Sequence, residues 1–365
     1  MIQITRPFIG KEEKKALIEV IDSGIIAQGP KVKKAEEKLA EYCGTKHAVL
    51  LNSGTAGLHT ALHVLGIDKD DEVITTPFTF IATANTILMQ GAKPVFADVD
   101  PNTFNIDPKL IKEKITKKTK AIITVDLYGH LCDYNQINKI AKDNKLFVVE
   151  DSCQAIGAEF NGKKAGTFGD IGVFSFYATK NITCGEGGAV VTNNMYYADK
   201  SKLFRQHGMS ALGTYDYNDV GYNYRMTDMN AAMLIEQLKK IELITKKRIE
   251  NAEYLNKELG KIKGIKTPII KKGNKHAFNQ YTVRVDDNFK LSREELIGHL
   301  SKNEISSNVY YPKPLHLCGN FRKLGYKEGD FPVAEKLSKQ ALSLPVHPNL
   351  TKDDIIKITN AIKEV

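Results

Sequence analysis

Apolar residues in the first two-thirds of the chain come in short blocks separated by amphipathic stretches. KHAVLLNSG (46–54) predicts a buried strand ending in a turn, and TAGLHTALHVLG (55–66) is apolar at helical spacing and stops at Gly66. DEVITT predicts a strand, IATANTILMQ a helix and KPVFADV a strand. AIITVDL, LFVVED and DIGVFSFY are further apolar strands, with the helix-like DYNQINKIAKDNK between the first two. Short apolar strands alternating with helices predict an α/β domain with a mostly parallel sheet covered on both faces. In such sheets ligands bind at the carboxyl ends of the strands, so polar residues just after strands carry the search for chemistry. A long amphipathic helix is predicted through MNAAMLIEQLKKIELITKKRIENAEYLNKELGKI. Beyond Gly264 the pattern changes to a strand (NQYTVRVD), a helix (SREELIGHLSKN), a Pro-rich stretch and a final helix (TKDDIIKITNAIKEV). The expected organisation is a large domain over residues 1–245 and a smaller α+β domain over 246–365. The first ~25 residues are placed near the small domain.

Composition narrows the class. The 365 residues hold 42% hydrophobic and 26% charged residues, ordinary for a globular protein. The formal charge is +9, and it is unevenly spread. Residues 1–230 carry 27 Lys+Arg against 27 Asp+Glu, while 231–365 carry 25 against 16. Lys outnumbers Arg 45 to 7, whereas base-reading and bidentate phosphate sites favour Arg, so nucleic-acid binding is not expected. Five scattered cysteines form no C-x-x-C pair, which argues against a disulfide framework or a zinc site. No run approaches the roughly 20 apolar residues needed to span a bilayer. No signal-peptide core opens the chain. A cytoplasmic protein without membrane contact is expected.

Candidate chemistry lies at the strand ends. Asn52-Ser53-Gly54-Thr55 joins a strand to a helix, where free N–H groups suit a phosphate; a plain N-cap is the competing reading. Asp151 follows LFVVE, with Gln154 close behind. A carboxylate there can keep a pyridinium nitrogen protonated, or simply cap a helix. Lys180, in FSFYATKNITCGEGG, follows an apolar strand and can form a Schiff base if burial lowers its pKa; Ser175 in the same strand can donate to a phosphate. Phe80 follows DEVITT and can stack on a cofactor ring or fill the core. GYNYRMTDMNAA (221–232) sets Asn223 and Arg225 among tyrosines in a predicted loop. Histidines 207, 316 and 347 read equally as structural or catalytic, and Tyr215 and Tyr311 carry no assigned role. No metal-ligand spacing, Walker A loop, G-x-G-x-x-G or G-x-S-x-G is present.

In order, NSGTAGLHTAL, TPFTFIATAN, VVEDSCQAIGAE, FGDIGVFSFYATKNITCGEGGAVVTNN and GYNYRMTDMNAA resemble the DegT/StrS-like sugar aminotransferases, which have the aspartate-aminotransferase fold (fold type I) and use pyridoxal phosphate. TRPFIGKEE, IIAQGPKVKKAEEKLAEYCG and GDFPVAEKLSKQALSLPVHP extend the resemblance over essentially the whole chain. It implies that Lys180 is the Schiff-base lysine, Asp151 faces the pyridine nitrogen and Gln154 lies near the phenolic oxygen. Ser53, Gly54, Thr55 and Ser175 would hold the phosphate, and Phe80 would stack on the ring. Asn223 would reach the phosphate of the other subunit, in a homodimer with shared sites. Two positions depart from the family: Cys184, where a hydroxyl residue is common, and Asp126, where histidine is common. Neither is essential to the implied mechanism, and both bear on substrate choice.

The implied reaction is ping-pong amino transfer from L-glutamate to a nucleotide-linked keto sugar. A keto-cyclitol acceptor is an alternative. So is sugar dehydration, which the presence of Lys180 disfavours. A non-enzymatic regulator built on the same fold is disfavoured by the complete set of Lys180, Asp151 and cradle residues.

Overall fold

The computed structural model describes residues 1–210 and 215–365. After two N-terminal helices, α1 (Lys11–Ser23) and α2 (Pro30–Cys43), strand β1 (His47–Leu51) leads into α3 (Gly54–Val64). Then follow β2 (Glu72–Thr75), α4 (Ala82–Met89), β3 (Lys93–Phe96), β4 (Thr119–Val125), α5 (Tyr134–Asn144) and β5 (Phe147–Asp151). β6 (Ile171–Ser175), β7 (Gly188–Thr192) and α6 (Met195–Arg205) complete the alternating region. The strands form one seven-stranded sheet in the order β1-β7-β6-β5-β4-β2-β3. β3, β2, β4, β5 and β6 are mutually parallel, and only β7 runs against its neighbours. The expected mostly parallel α/β sheet is the one observed.

Alternation explains why its strands are apolar throughout. Val148 and Val149 of β5 enter different cores, as do Ile122 and Ile123 of β4. One face is covered by Leu39 of α2 and, further along the chain, Leu234 and Ile241; the other is covered by Leu58 and Leu62 of α3. Both faces are therefore buried, as a parallel sheet requires. The pattern leaves β7 unassigned because GAVVT is only five residues long and directly follows a glycine turn.

Helix α7 (Asp228–Leu259) starts at Thr227, whose hydroxyl accepts from the Asn230 N–H. Its 32 residues span about 48 Å. Its first half buries Ala231, Leu234 and Ile241 in the large core, and its second half buries Ala252, Leu255 and Leu259 in a separate core. That second core holds β8 (Ile265–Lys266), β9 (Tyr281–Val285), α8 (Arg293–Lys302), β10 (Ala341–Leu344) and α10 (Lys352–Lys363), with α9 (Pro332–Gln340) preceding β10. β8, β9 and β10 form a small antiparallel sheet. β10 is four residues directly after a helix, too short for its period to show.

The N-terminal segment divides between the two cores. Ile2 pairs with the small-sheet side, donating to Glu304 O and accepting from Ser306 N. Helix α1 instead lies on α7, with Ala16 and Val20 against Ala232. Its buried Glu13 accepts from Gln237 Nε2 and Lys240 Nζ.

One buried carboxylate ties the two halves directly. Asp98, just past β3, accepts from the N–H groups of Val333 and Ala334 at 2.9 Å each. These are free donors in the first turn of α9, whose own N-cap, Phe331, has no side chain able to satisfy them. Asp98→Ala is expected to lower unfolding stability by about 1–2 kcal/mol. Chemical denaturation measures the change, and an unaltered midpoint would contradict the role.

Candidate active site

Thr75, Val125, Asp151 and Ser175 end four neighbouring parallel strands along one edge of the sheet. The strand-end candidates converge there because parallel strands present all their carboxyl ends together.

Asp151 is 5% exposed. Its Oδ2 accepts from Thr83 Oγ1 at 2.7 Å and its Oδ1 from the Cys153 N–H at 3.3 Å. Thr83 lies in the first turn of α4, three residues after Phe80, and sequence reasoning missed it. The signal was present in the run of threonines 75, 76, 79 and 83.

Lys180 is half-buried in the loop between β6 and β7. Phe176 N donates to Gly187 O at 2.8 Å and closes that loop at its base. Asn181 Nδ2 donates to Ala277 O at 2.9 Å and anchors its middle. The loop is thus fixed beside the lysine. Burial pushes the Lys180 pKa below its ordinary value, and Cys153 and Asp151 oppose that shift. Asp151 and Lys180 are therefore close enough to feel one another, although they form no direct ion pair.

The 52–55 turn serves both readings given for it. Ser53 Oγ accepts from Ala56 N at 3.1 Å, so it is the N-cap of α3. The N–H groups of Gly54 and Thr55 precede the helical ladder and stay available to an anion. Gly54 has no room for a side chain: a Cβ would meet Cys153 Sγ and Ser175 Cβ at 2.9 Å each. Gly188 is equally constrained, since its Cβ would lie 2.2 Å from Ser53 O. The glycine turn after Lys180 is thereby pressed against the 53–54 backbone. Thr55 is exposed, and Ser175 is 9% exposed.

Gln154 is buried and held from two sides. Its Oε1 accepts from Tyr128 N at 2.9 Å, and its Nε2 donates to Tyr311 Oη at 3.0 Å. Phe80 is 56% exposed, and its ring centroid lies 6.4 Å from that of Tyr311. Phe80 is therefore not core filler. Tyr311, left without a role by the sequence, joins the site from the second half of the chain.

Asn223 is exposed. Its carbonyl accepts from Asn52 Nδ2 at 3.3 Å, which places its backbone beside the 52–55 turn of its own subunit. Cys184 is buried, and its Sγ donates to Glu186 O at 3.2 Å, closing the turn as a hydroxyl would. Asp126 is fully buried beneath the sheet edge and offers nothing to a substrate. His316 pairs with Glu335 at 2.9 Å and His347 with Gln3 O at 3.1 Å, both outside this cluster. A cleft of about 670 Å³ also lies elsewhere, between residues 101–104 and β8. Lys261, Lys263, Lys266 and Arg284 line it.

A desolvated lysine facing a carboxylate, a helix start closed over by two glycines, and an exposed aromatic ring together suit a pyridoxal-phosphate enzyme. The comparisons agree. Residues 7–363 match the model of the DegT/DnrJ/EryC1/StrS aminotransferase family, and the chain belongs to that family. It is 47% identical to an uncharacterized protein of Methanocaldococcus jannaschii, over 99% of this chain and 96% of that one. It is 36% identical to the GDP-perosamine synthase of Vibrio cholerae, over 100% of this chain and 98% of the synthase. The structure of PseC from Helicobacter pylori, an aminotransferase involved in the biosynthesis of pseudoaminic acid, superposes with a TM-score of 0.93. The two are 33% identical, over 100% of this chain and 98% of that one. The protein is a sugar aminotransferase, and its cofactor is pyridoxal phosphate. Among the described residues, no helix is long and apolar enough to cross a membrane.

The lowered Lys180 pKa has a definite sign. Its neutral amine is populated at lower pH than that of a solvent-exposed lysine. Labelling of the cofactor-free protein with an amine-directed reagent, read by peptide mass spectrometry, should reach its half-maximal rate at Lys180 below the pH found for the side-chain amine of a free lysine peptide. The reverse order would contradict the burial argument.

Proposed function

We propose that the protein transfers the amino group of L-glutamate to a nucleotide-linked keto sugar, in two half-reactions at the Lys180–Asp151 site. The observation that carries this reading is the meeting of Lys180, Asp151 and the 53–55 helix start at one edge of the sheet. Pyridoxal phosphate, when bound, supplies an electron sink for the negative charge that develops beside the amino-bearing carbon. Lys180 Nζ is the amine that would hold the cofactor covalently, and it would be freed when the donor amine takes its place. Once freed, Nζ would move a proton between the amino-bearing substrate carbon and C4′ of the cofactor, as general base and acid. Its lowered pKa suits both directions, because the neutral amine must be present to accept.

The Asp151 carboxylate, oriented by the Thr83 hydroxyl and the Cys153 N–H, would face the pyridine nitrogen. Gly54 and Thr55 N–H groups, with the hydroxyls of Ser53, Thr55 and Ser175, would take the phosphate. Phe80 would cover the ring face, and Gln154, held by Tyr311, would meet the phenolic oxygen. The nucleotide-linked acceptor is supported by the perosamine synthase relative, whose name specifies a GDP-linked product.

We place the site in a cytoplasmic homodimer. Supporting this are the exposed Ile18, Ile21, Ile25 and Ile26 at the end of α1 and after it, and the exposed Tyr217, Val220 and Tyr222 beside Asn223. Asn223 of one subunit would reach the phosphate bound by the other. The division into a large domain over 1–245 and a small one over 246–365 is part of the same reading, with α7 crossing the boundary.

Lys180→Ala is expected to abolish turnover and the visible absorbance band of the covalent lysine–cofactor linkage. Retention of both would remove Lys180 from its role. With wild-type protein, nitrogen-labelled glutamate and a panel of nucleotide-linked keto sugars, mass spectrometry should find the label in an amino sugar. A deoxygenated, unlabelled product would mean dehydration instead.

Shared sites make a second prediction. Lys180→Ala and Asn223→Ala proteins, each impaired alone, should regain activity when refolded together, because a mixed dimer contains one intact site. Absence of any recovery in a verified mixed dimer would place Asn223 outside the partner's site.

A further inference from the structure

Asp126 and Glu150 are both fully buried beneath the cofactor site, and the reaction described above uses neither. Side chains alternate along a strand, so Glu150 and Ser152 face away from the side that Asp151 faces. Glu150 accepts from Phe168 N and Gly169 N at 2.6 Å each and from Gly166 N at 2.8 Å. Ser152 Oγ donates to Asp126 Oδ2 at 2.6 Å. Asp126 N donates to Asp151 O at 3.1 Å. Asp126 Oδ1 is held in turn by Cys132 N and Tyr134 Oη, both at 2.9 Å.

Burial raises the pKa of both acids, and Asp126 raises that of Glu150 further. Among the described residues, the hydrogen-bond partners of both are hydroxyls and backbone N–H groups rather than cations. A buried carboxyl without a cation costs several kcal/mol unless its hydrogen bonds are complete. Here those bonds converge on the residues on either side of Asp151.

We propose that Asp126 is a positioning residue for Asp151. Through the Ser152 hydroxyl and its own backbone N–H it fixes the end of β5, so that the Asp151 carboxylate faces the cofactor site. The inference rests on the reading of Asp151 as the cofactor's partner. If Asp126 merely held the 126–134 turn through Cys132 and Tyr134, removing Ser152 would leave the cofactor site untouched.

The test is a double-mutant cycle on the full-length protein with Asp126→Ala, Ser152→Ala and both together, beside Asp126→Asn and Asp151→Ala. Pyridoxal phosphate affinity of the cofactor-free forms is measured by equilibrium dialysis, with the absorbance maximum of the bound cofactor and steady-state kinetics alongside. Each single alanine variant should weaken cofactor binding on the order of tenfold, the scale found when a group orienting a ligating side chain is removed. kcat should fall, while KM for glutamate changes less than about twofold. The double variant should be no worse than the worse single one, since the two groups act in series. Asp126→Asn should recover most of the loss, because its side-chain oxygen still accepts from Ser152.

Wild-type affinity and absorbance maximum in Ser152→Ala overturn the proposal, as do additive losses. If Asp126→Ala does not fold, Ser152→Ala and Asp126→Asn decide alone. Wild-type affinity and turnover in Asp151→Ala would overturn the underlying reading instead. An impaired Asp151→Ala beside a normal Ser152→Ala would overturn only the positioning role.

Discussion

The site depends on holding one carboxylate, Asp151, almost out of water at a strand end beside a desolvated lysine. Each group answers a cost imposed by the other. A nearly buried Asp151 needs hydrogen-bond donors, and Thr83 and the Cys153 backbone supply them. Lys180 needs a lowered pKa, and burial supplies it. The Asp151 charge works against that lowering, so the two must not form a close ion pair. Placing Asp151 on β5 and Lys180 in the loop after β6 meets the requirement. The groups then lie at neighbouring strand ends, each with its own support.

The same sheet edge explains how a charge-balanced region can hold a phosphate. In the proposed cradle, backbone N–H groups at the start of α3 and the hydroxyls of Ser53, Thr55 and Ser175 would supply the donors, so no lysine or arginine would be required. Close approach is the price, and Gly54 and Gly188 both stand where a Cβ would collide with neighbours. Part of the lysine surplus in the last third, Lys261, Lys263 and Lys266, borders the cleft beside β8. Net charge therefore does not point to the proposed phosphate cradle.

Much of the architecture was legible because buried parallel strands must be apolar on both faces, and helices between them must be amphipathic. β4, β5 and β6 stand out for that reason. Strands β7 and β10 did not, because four or five residues beside a turn or helix carry too little period. Among site residues, Asp151 and Lys180 were marked by following apolar strands. Thr83 was hidden because it acts from the start of a helix, 68 residues before the group it supports. Tyr311 was hidden because only the tertiary fold brings it to Gln154. The departure at Asp126 read as a matter of substrate choice. Folding instead turns that residue inward, against Ser152.

Tyr311 also shows why the second half of the chain is more than a cover. Its hydroxyl accepts from Gln154 Nε2, and its ring leans on Phe80. Two of the groups proposed to touch the cofactor are thus oriented by a residue on the far side of α7. A hinge between the two cores would disturb them. The contacts that cross the division oppose such a hinge. Asp98 caps α9, Leu315 N donates to Pro77 O at 2.7 Å, and Tyr326 Oη bonds both Phe96 N and Pro94 O on the edge strand β3. The last contact also closes an open sheet edge that would otherwise invite another chain. α7 adds stiffness, because one unbroken helix contributes side chains to both cores. Opening the halves would expose apolar surface in each and unsatisfy buried donors at α9. The geometry around Gln154 and Phe80 is therefore built into the folded chain rather than assembled when substrate arrives.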